Sequence, residues 1–315
     1  LLALRDLRHV VFDKTGTLTT GAMQLRAVHC AAGMDEAAAR RWAAMLESGI
    51  THPIARALCA GRSEAPAPAQ TLLPQGGVGG DLDGVPGSLR PVVAPATGAD
   101  PAAEGLRWVR LERNGQRVAD FGFAEVLRPE ALAVVSELQA RGLTVHLLSG
   151  DAHVPVTRLA AALRIDGVHA GAQPEDKLAR VRAWQAEGGR VLMVGDGIND
   201  GPTLAAADVA VSLGGGASLA QGQGDLLLLR DDLRGLLALL EVAQSTRRIA
   251  LQNVLWALGY NLTLVPLAFM GWIAPAMAAL GMGGSSLLVT LSALRLLRTP
   301  APDLSVAPAV RESAA

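Results

Sequence analysis

Cysteine, charge and basic tracts are all scarce in this chain of 315 residues. The two cysteines, Cys30 and Cys59, stand in no metal-ligand spacing, which argues against a thiolate metal centre. No signal-peptide pattern precedes them, so both are expected to stay reduced and packed in a cytosolic part. Only 18% of residues are charged, the net charge is −1, and no long basic run interleaved with aromatics occurs. Nucleic acid is therefore not an expected partner. No internal repeat is evident.

The shortage of charge is concentrated near one end. Leu251 to Leu294 contain no Asp, Glu, Lys, Arg or His. A spanning helix needs ~20 apolar residues, so this stretch is expected to form two transmembrane helices with a turn near Gly271-Trp272-Ile273-Ala274-Pro275. Arg247 and Arg248 precede it and Arg295 and Arg298 follow it, which puts both ends of the hairpin, residues 247–298, on the cytoplasmic side of a bilayer. Everything before residue 245 is then cytoplasmic as well. A buried hairpin of a soluble protein is the competing reading, disfavoured because such helices rarely run this long without a charge. A 50% apolar content is also too high for a purely soluble chain. Residues 299–315 read as a disordered tail.

Upstream, short apolar runs recur at Val10–Asp13, Leu143–Leu148, Val191–Val194, Val209–Leu213 and Leu226–Leu229. Helical patterns cover Arg128–Arg141 and Pro174–Glu187, the second ended by Gly188-Gly189. This alternation predicts an α/β fold with a doubly wound parallel sheet. Between the first strand and the next helical segment lies a stretch that breaks the pattern. It has helices at Asp35–Leu46 and Ile54–Ala60, a linker at Ser63–Gln70 and a Gly-rich stretch at Gly76–Gly87. A loose loop at Pro91–Gly105 and a strand pair around Arg107–Leu111 and Arg117–Phe123 complete it. It reads as an inserted α+β domain, residues 21–121, within a domain formed by 1–20 and 122–246. Entering just after Asp13, it would cap the carboxyl ends of the parallel strands, where ligands bind.

Asp13 closes the apolar run Val10-Val11-Phe12 and opens the heptad Asp13-Lys14-Thr15-Gly16-Thr17-Leu18-Thr19. A carboxylate there is costly unless something ionic is set against it, and Lys14 is adjacent. Three hydroxyls around a glycine make a tight turn whose donors suit phosphate oxygens. Asp13 is thus a candidate phosphate-accepting nucleophile. Three more clusters follow other strands or open a helix. Ser149-Gly150-Asp151 suits a phosphate oxygen, and Lys177, in the first turn of a helix, can bring a positive charge to a phosphoryl group. Gly195-Asp196-Gly197-Ile198-Asn199-Asp200 offers hard oxygen ligands for Mg2+.

The heptad and these clusters resemble the phosphorylation domain of the P-type ATPases, a branch of the haloacid-dehalogenase-like fold, over nearly the whole chain. The resemblance implies that Asp13 is phosphorylated by ATP, that Lys177 neutralises the phosphoryl group, and that Ser149 and Asp151 position it. It further implies that Asp13, the Thr15 carbonyl, Asp196, Asn199 and Asp200 hold Mg2+. Phosphatases of this fold usually carry an aspartate two residues after the nucleophile as general acid/base, and here that position is Thr15. A persistent phosphoenzyme is expected. The inserted segment is similar to the nucleotide-binding domain of the heavy-metal (type IB) branch, whose His-Pro pair appears as His52-Pro53. ATP is then bound by His52, Gly76, Gly77 and Gly80. Thr51 stands where that branch has a glutamate, and Gln75 departs from its Gly-x-Gly, which implies a weaker adenine contact.

Tyr260-Asn261 and Met282-Gly283-Gly284-Ser285-Ser286 are the polar interruptions of the hairpin. Interhelical packing explains Gly283 and Ser285. A thioether is a soft ligand that favours Cu(I), and no carboxylate lies among these residues. The pattern is similar to the copper(I)-transporting subgroup, which makes Tyr260, Asn261, Met282 and Ser286 the expected copper site. Leu148-Ser149-Gly150-Asp151 and Gly271-Trp272-Ile273-Ala274-Pro275 resemble the Fix/Cco-type pumps of bacterial cbb-type oxidase assembly, with copper-A-type detoxification pumps as the nearest competitor. The family implies a multi-pass protein of the bacterial inner membrane and a copper chaperone as a partner. It also implies an upstream actuator domain and further membrane helices, so this chain is expected to be the C-terminal part of a longer pump. Two other readings stand beside it: a membrane-anchored phosphatase of the same fold, and a non-transporting nucleotide-binding fragment.

Overall fold

A computed structural model describes residues 4, 6–62, 65–74, 76–95, 105–196, 200–213, 224–228, 232–272 and 274–298. The expected disordered tail at 299–315, the Gln75 departure and Asn199 lie outside the described residues.

Strand β1 (Leu7–Asp13) buries its last four residues and ends on Asp13. The chain then turns through Lys14–Leu18 and leaves for a second sheet. That sheet is antiparallel and contains β2 (Thr19–Cys30), β3 (Thr71–Leu72), β4 (Val78–Asp81), β5 (Pro86–Val92), β6 (Arg107–Arg113) and β7 (Gln116–Leu127), in the order β2-β7-β6-β5-β4-β3. Helices α1 (Glu36–Glu47) and α2 (Pro53–Cys59) pack on it around Leu46, Leu58, Leu89, Leu111, Phe121 and Phe123. Burial of each such side chain is worth about 1.5–3 kcal/mol, enough to let the insertion hold its own core. Asp35 starts α1 by accepting from the Ala38 N–H at 2.9 Å, and Pro53 opens α2, where its missing N–H leaves nothing unsatisfied. The sheet therefore runs from Thr19 to Leu127, slightly wider than the 21–121 expected.

The chain returns through α3 (Ala131–Ala140), β8 (Thr144–Leu148), α4 (His153–Leu163), β9 (Gly167–His169), α5 (Pro174–Ala186), β10 (Arg190–Gly195), α6 (Gly201–Ala206), β11 (Val209–Leu213) and β12 (Leu226–Leu228). These strands join β1 in a parallel sheet of order β12-β11-β10-β1-β8-β9. One face buries Phe12, Val134, Leu138, Leu147 and Val156 with α3 and α4, and the other buries Val11, Leu148, Val181, Trp184 and Met193 with α5 and α6. The fold is the doubly wound α/β sheet expected, with an inserted α+β domain. Strand order reverses at β1, which pairs β10 on one side and β8 on the other, with Asp13 opposite Leu148 and Phe12 opposite Val194. Such a reversal opens a crevice at the carboxyl ends of the strands, and Asp13 stands in it.

Helix α7 (Arg234–Phe269) begins against the parallel sheet, burying Leu236, Leu240 and Ala243, and Arg141 ties to its Glu241 at 3.0 Å. Beyond Leu251 most of its apolar side chains are bare: Leu262 is 74% and Phe269 95% exposed. A short turn leads to α8 (Pro275–Ala293), which completes a helical hairpin. Among the described residues one helix is long and apolar enough to cross a membrane, over Ala279–Leu296, where two were expected. The α7 half falls short because Gln252, Asn253, Asn261 and Pro266 dilute its apolar run. A large bare apolar surface of this kind marks a membrane or protein contact.

Candidate active site

Lys177 reaches out of the first turn of α5 and binds two carboxylates at once. Its Nζ donates to Asp13 Oδ1 at 2.9 Å and to Asp200 Oδ1 at 2.6 Å, and all three residues are buried. Burial, then the neighbouring Asp200 carboxylate, push the Asp13 carboxyl up to about 7, with Lys177 opposing both. Burial works to lower the Lys177 ammonium, yet the charges of Asp13 and Asp200 outweigh it and its pKa is raised. A second oxygen of Asp200, Oδ2, is buried with no hydrogen-bond partner. Buried polar atoms are nearly always satisfied, so an orphan beside a cluster of hard oxygen donors fits a divalent cation. Asp13, Asp196 and Asp200 supply carboxylates of the right kind. Asp196 follows β10 and faces Gly16, since a Cβ on Gly16 would come within 3.1 Å of Asp196 Oδ2. Gly16 itself has φ +75°, the left-handed region that favours glycine, so the turn needs that residue. Thr17 Oγ1 is also buried without a partner.

A second ionic cluster forms around Lys14, the neighbour of Asp13. Lys14 Nζ donates to Glu125 Oε1 at 2.7 Å and pairs with Asp151. Thr19 Oγ1 donates to Glu125 Oε2 at 2.8 Å, and Thr15 Oγ1 lies 3.3 Å from Glu125 Oε1. Arg107, at the start of β6, reaches Asp151 Oδ1 at 3.2 Å. Burial works to raise the Asp151 carboxyl, but Lys14 and Arg107 overcome it and its pKa is lowered. Asp151 is therefore engaged by two cations, Lys14 and Arg107. Ser149 is buried at the end of β8 and its Oγ accepts from the Asp151 N–H at 3.2 Å, which holds the turn. Arg128 binds the turn from below, donating from Nε to the Thr17 carbonyl at 2.7 Å and from Nη2 to the Gly16 carbonyl at 3.0 Å.

In the antiparallel sheet, a cavity of about 690 Å³ is lined by His52, Gly76, Gly77, Glu47, Trp108 and Arg107, among others. His52 caps α2, its Nδ1 accepting from the Ile54 N–H at 3.3 Å. Gly77 has φ +101°, and a Cβ there would stand 2.2 Å from the Leu89 carbonyl oxygen, so only glycine fits. Gly80 is elsewhere. A Cβ at Gly80 would meet Ala67 at 3.0 Å and Leu46 at 3.1 Å, so this glycine lets β4 pack against α1 and does not line the cavity with His52. Both free cysteines sit in this domain, and burial above all raises their thiol pKa values, as befits inert packing residues.

The four residues expected to hold copper do not share a face of the hairpin. Tyr260 packs inward, its hydroxyl so close to α8 that a Cβ on Gly281 would lie 2.5 Å away. Asn261, Met282 and Ser286 are exposed, Met282 by 65%. The helical step of ~100° per residue explains the split: Asn261 follows Tyr260, and Met282 follows Gly281.

Sequence reasoning missed Glu125, Arg107, Arg128 and Glu47. Glu125 and Arg128 flank the return point from the inserted sheet, and their signal was a charge pair bracketing the apolar Val126-Leu127 beside a Pro. For Arg107 and Glu47 the linear sequence offers no cue, because only the fold brings them to the crevice and the cavity.

Over residues 7–208 the chain matches the haloacid dehalogenase-like hydrolase family. It is 40% identical over 314 residues to a probable copper-transporting ATPase SynA of Synechococcus sp., covering 93% of this chain and 39% of that protein. It is 37% identical over 302 residues to the nitrogen fixation protein FixI of Bradyrhizobium diazoefficiens, covering 93% and 40%. The chain thus spans about two-fifths of the length of these relatives. Its structure is similar to a zinc-transporting PIB-type ATPase crystallised in the E2.Pi state, with a TM-score of 0.82 and 32% identity over 94% of this chain and 51% of that one. The catalytic domain of the CPx-ATPase CopB-B superposes with a TM-score of 0.62 and 27% identity, covering 76% of this chain and 91% of that domain.

Proposed function

The chain belongs to the haloacid dehalogenase-like hydrolases, and from that premise we propose that it carries the catalytic part of an ATP-driven heavy-metal pump working through an aspartyl phosphate. The observation that carries the reading is Lys177 bound to both Asp13 and Asp200 at the switch point of the parallel sheet. An Asp13 oxygen attacks the γ-phosphorus of ATP, the bond to the β-phosphate oxygen breaks, and ADP leaves with the electron pair. Lys177 offsets the charge gathered on Asp13 and the incoming phosphoryl oxygens. The Thr17 hydroxyl and the N–H groups of the Gly16 turn offer donors to those oxygens, and Ser149 with Asp151 keeps the neighbouring turn in shape. Mg2+, held by Asp13, the Thr15 carbonyl, Asp196 and Asp200, would neutralise phosphoryl charge when bound. The side chain of Thr15, two residues past the nucleophile, has no acid/base capacity, and Glu125 beside it is engaged by Lys14. This favours slow hydrolysis of the acyl phosphate, as a transport cycle needs, over phosphatase turnover.

ATP is assigned to the cavity that His52, Gly76 and Gly77 line, with the apolar hairpin set in a bilayer and the catalytic domains on the cytoplasmic side. Cu(I) is the proposed cargo, supported by the thioether of Met282 and by the copper-transporting names of relatives such as SynA. The exposed Met282, Asn261 and Ser286 would complete a site with helices from elsewhere in the pump.

Radiolabelled ATP is expected to leave an acid-stable, hydroxylamine-labile phosphoenzyme that Asp13→Asn abolishes. Labelling that survives this substitution would sink the reading. In the longer parent protein, Cu(I) should stimulate labelling and Met282→Ala should remove the stimulation, whereas stimulation by Zn(II) alone would reassign the cargo.

A further inference from the structure

Among the described residues that line the His52 cavity, Arg107 is the only Lys or Arg. The same residue lines a cleft of about 780 Å³ between the inserted sheet and the catalytic sheet, together with Lys14, Glu125 and Asp151. One guanidinium thus faces both the nucleotide cavity and the ionic cluster that reaches Lys14, the neighbour of Asp13. We propose that Arg107 exchanges between Asp151 and the polyphosphate of a nucleotide seated in the His52 cavity, making it a positioning residue that leads the phosphates toward Lys14 and Asp13. The inference rests on reading that cavity as a nucleotide site.

Arg107 is the exposed member of its cluster. Its side chain is 55% exposed, against 6% for Lys14 and 8% for Glu125. Lys14 pairs with both Glu125 and Asp151, so neither carboxylate is stranded when Arg107 leaves. An exposed ion pair holds its partners weakly, whereas a polyphosphate offers several oxygens to the planar fork of a guanidinium. Arg107 contacts Asp151 through Nη2 alone, at 3.2 and 3.4 Å to the two oxygens, which leaves its other N–H groups available to a phosphate. The segment ahead of β6 also leans on α4, where a Cβ on Gly105 would come within 3.1 Å of Val154, so the two sheets already stand close enough for one side chain to serve both.

The test is equilibrium binding of adenosine, ADP and ATP to the whole chain in detergent. Arg107→Ala is expected to weaken ATP and ADP about tenfold and leave adenosine unchanged, the loss of a charge-assisted phosphate contact. Arg107→Lys should retain part of the affinity. Asp151→Asn, which removes the competitor, should tighten ATP about threefold, opposite in sign. An equal loss for adenosine and ATP in Arg107→Ala would make Arg107 a support of the cavity wall and overturn the inference. Unchanged ATP binding in that variant would overturn it too. A wild-type chain that binds neither adenosine nor ATP would instead remove the nucleotide reading itself, and this inference with it.

Discussion

Lys177 Nζ stands 2.9 Å from Asp13 Oδ1, one reaching from the first turn of α5 and the other from the end of β1. Each explains the burial of the other, since an isolated ammonium or carboxylate at this depth would be expelled or neutralised. Lys177→Ala leaves Asp13 and Asp200 facing each other without a cation. The variant is expected to form phosphoenzyme at least about a hundredfold more slowly, as measured by rapid acid quench. Near-normal labelling would show that the lysine serves the fold and not the transfer.

Asp13 should also trade stability for reactivity. Burial and Asp200 raise its carboxyl to about 7 from an ordinary 3.8, so the native state holds this proton more tightly than the unfolded chain. The stability it contributes is present below pH ~3.8 and is lost as the pH rises through about 7. Asp13→Asn keeps the shape without the charge. Its melting temperature is expected to exceed that of the wild type by about 5 °C at pH 8, with a smaller margin at pH 5. A margin that does not change with pH would contradict the raised value.

His146 titrates in the opposite sense. It is buried on the α5 face of the parallel sheet, stacked on Trp184 with ring centroids 4.1 Å apart, its Nε2 3.1 Å from His9 Nδ1 and its own Nδ1 without a partner. Burial first, then His9 and His169, push its pKa down to about 4 from 6.5. A base whose pKa falls on folding contributes stability above its unfolded value that is lost as the pH drops from ~6.5 toward about 4. His146→Phe keeps the stacking and removes the proton site. Melting curves at pH 7 and pH 4.5 should show a smaller acid loss in the variant than in the wild type.

These groups illustrate what a linear reading can and cannot reach. Asp13, Lys177 and Asp200 were legible because each follows an apolar run or opens a helix, and parallel strands deliver such positions to one edge. Strands β4 and β5 read as a glycine-rich stretch and a loose loop, since Gly79, Gly80, Pro86 and Pro91 suppress strand propensity that antiparallel pairing then overrides. The 12-residue β2 was missed because no residue between Thr20 and Cys30 is fully buried, so its apolar content never forms a run. α4 escaped notice with Pro155 near its start, where proline is tolerated. Gly80 stands inside β4, packed on Ala67 and Leu46, while Gly76 and Gly77 precede the strand, a separation that only the fold reveals.

Glu47 carries a prediction that no spacing suggested. It ends α1 in the wall of the His52 cavity, 9% exposed, and burial pushes its carboxyl up. Thr51 cannot act as a carboxylate there, and Glu47 reaches the same cavity from the preceding helix. A carboxylate accepts from the exocyclic amine of adenine and repels the carbonyl that guanine has at that position. Glu47→Ala is expected to reduce the preference for ATP over GTP about tenfold, a discrimination typical of one hydrogen-bonded contact. Competition of GTP against a fluorescent ATP analogue reads it directly, and an unchanged ratio would assign Glu47 to packing alone.

Arg128 joins the return strand of the insertion to the turn that follows Asp13. It is buried, and its guanidinium satisfies the carbonyls of Gly16 and Thr17 together. Arg128→Ala strands both acceptors, at about 1–3 kcal/mol for each buried group left unpaired. Lysine lacks the fork and can satisfy one carbonyl at a time, so Arg128→Lys should fall between. Because the same turn carries Thr17 and faces Asp196, its loosening should slow phosphoenzyme formation as well as lower the melting temperature. The order wild type, Lys, Ala is expected in both measurements. A variant that loses stability but phosphorylates at the wild-type rate would separate the clamp from the chemistry, leaving Gly16 and Asp196 to hold the turn without it.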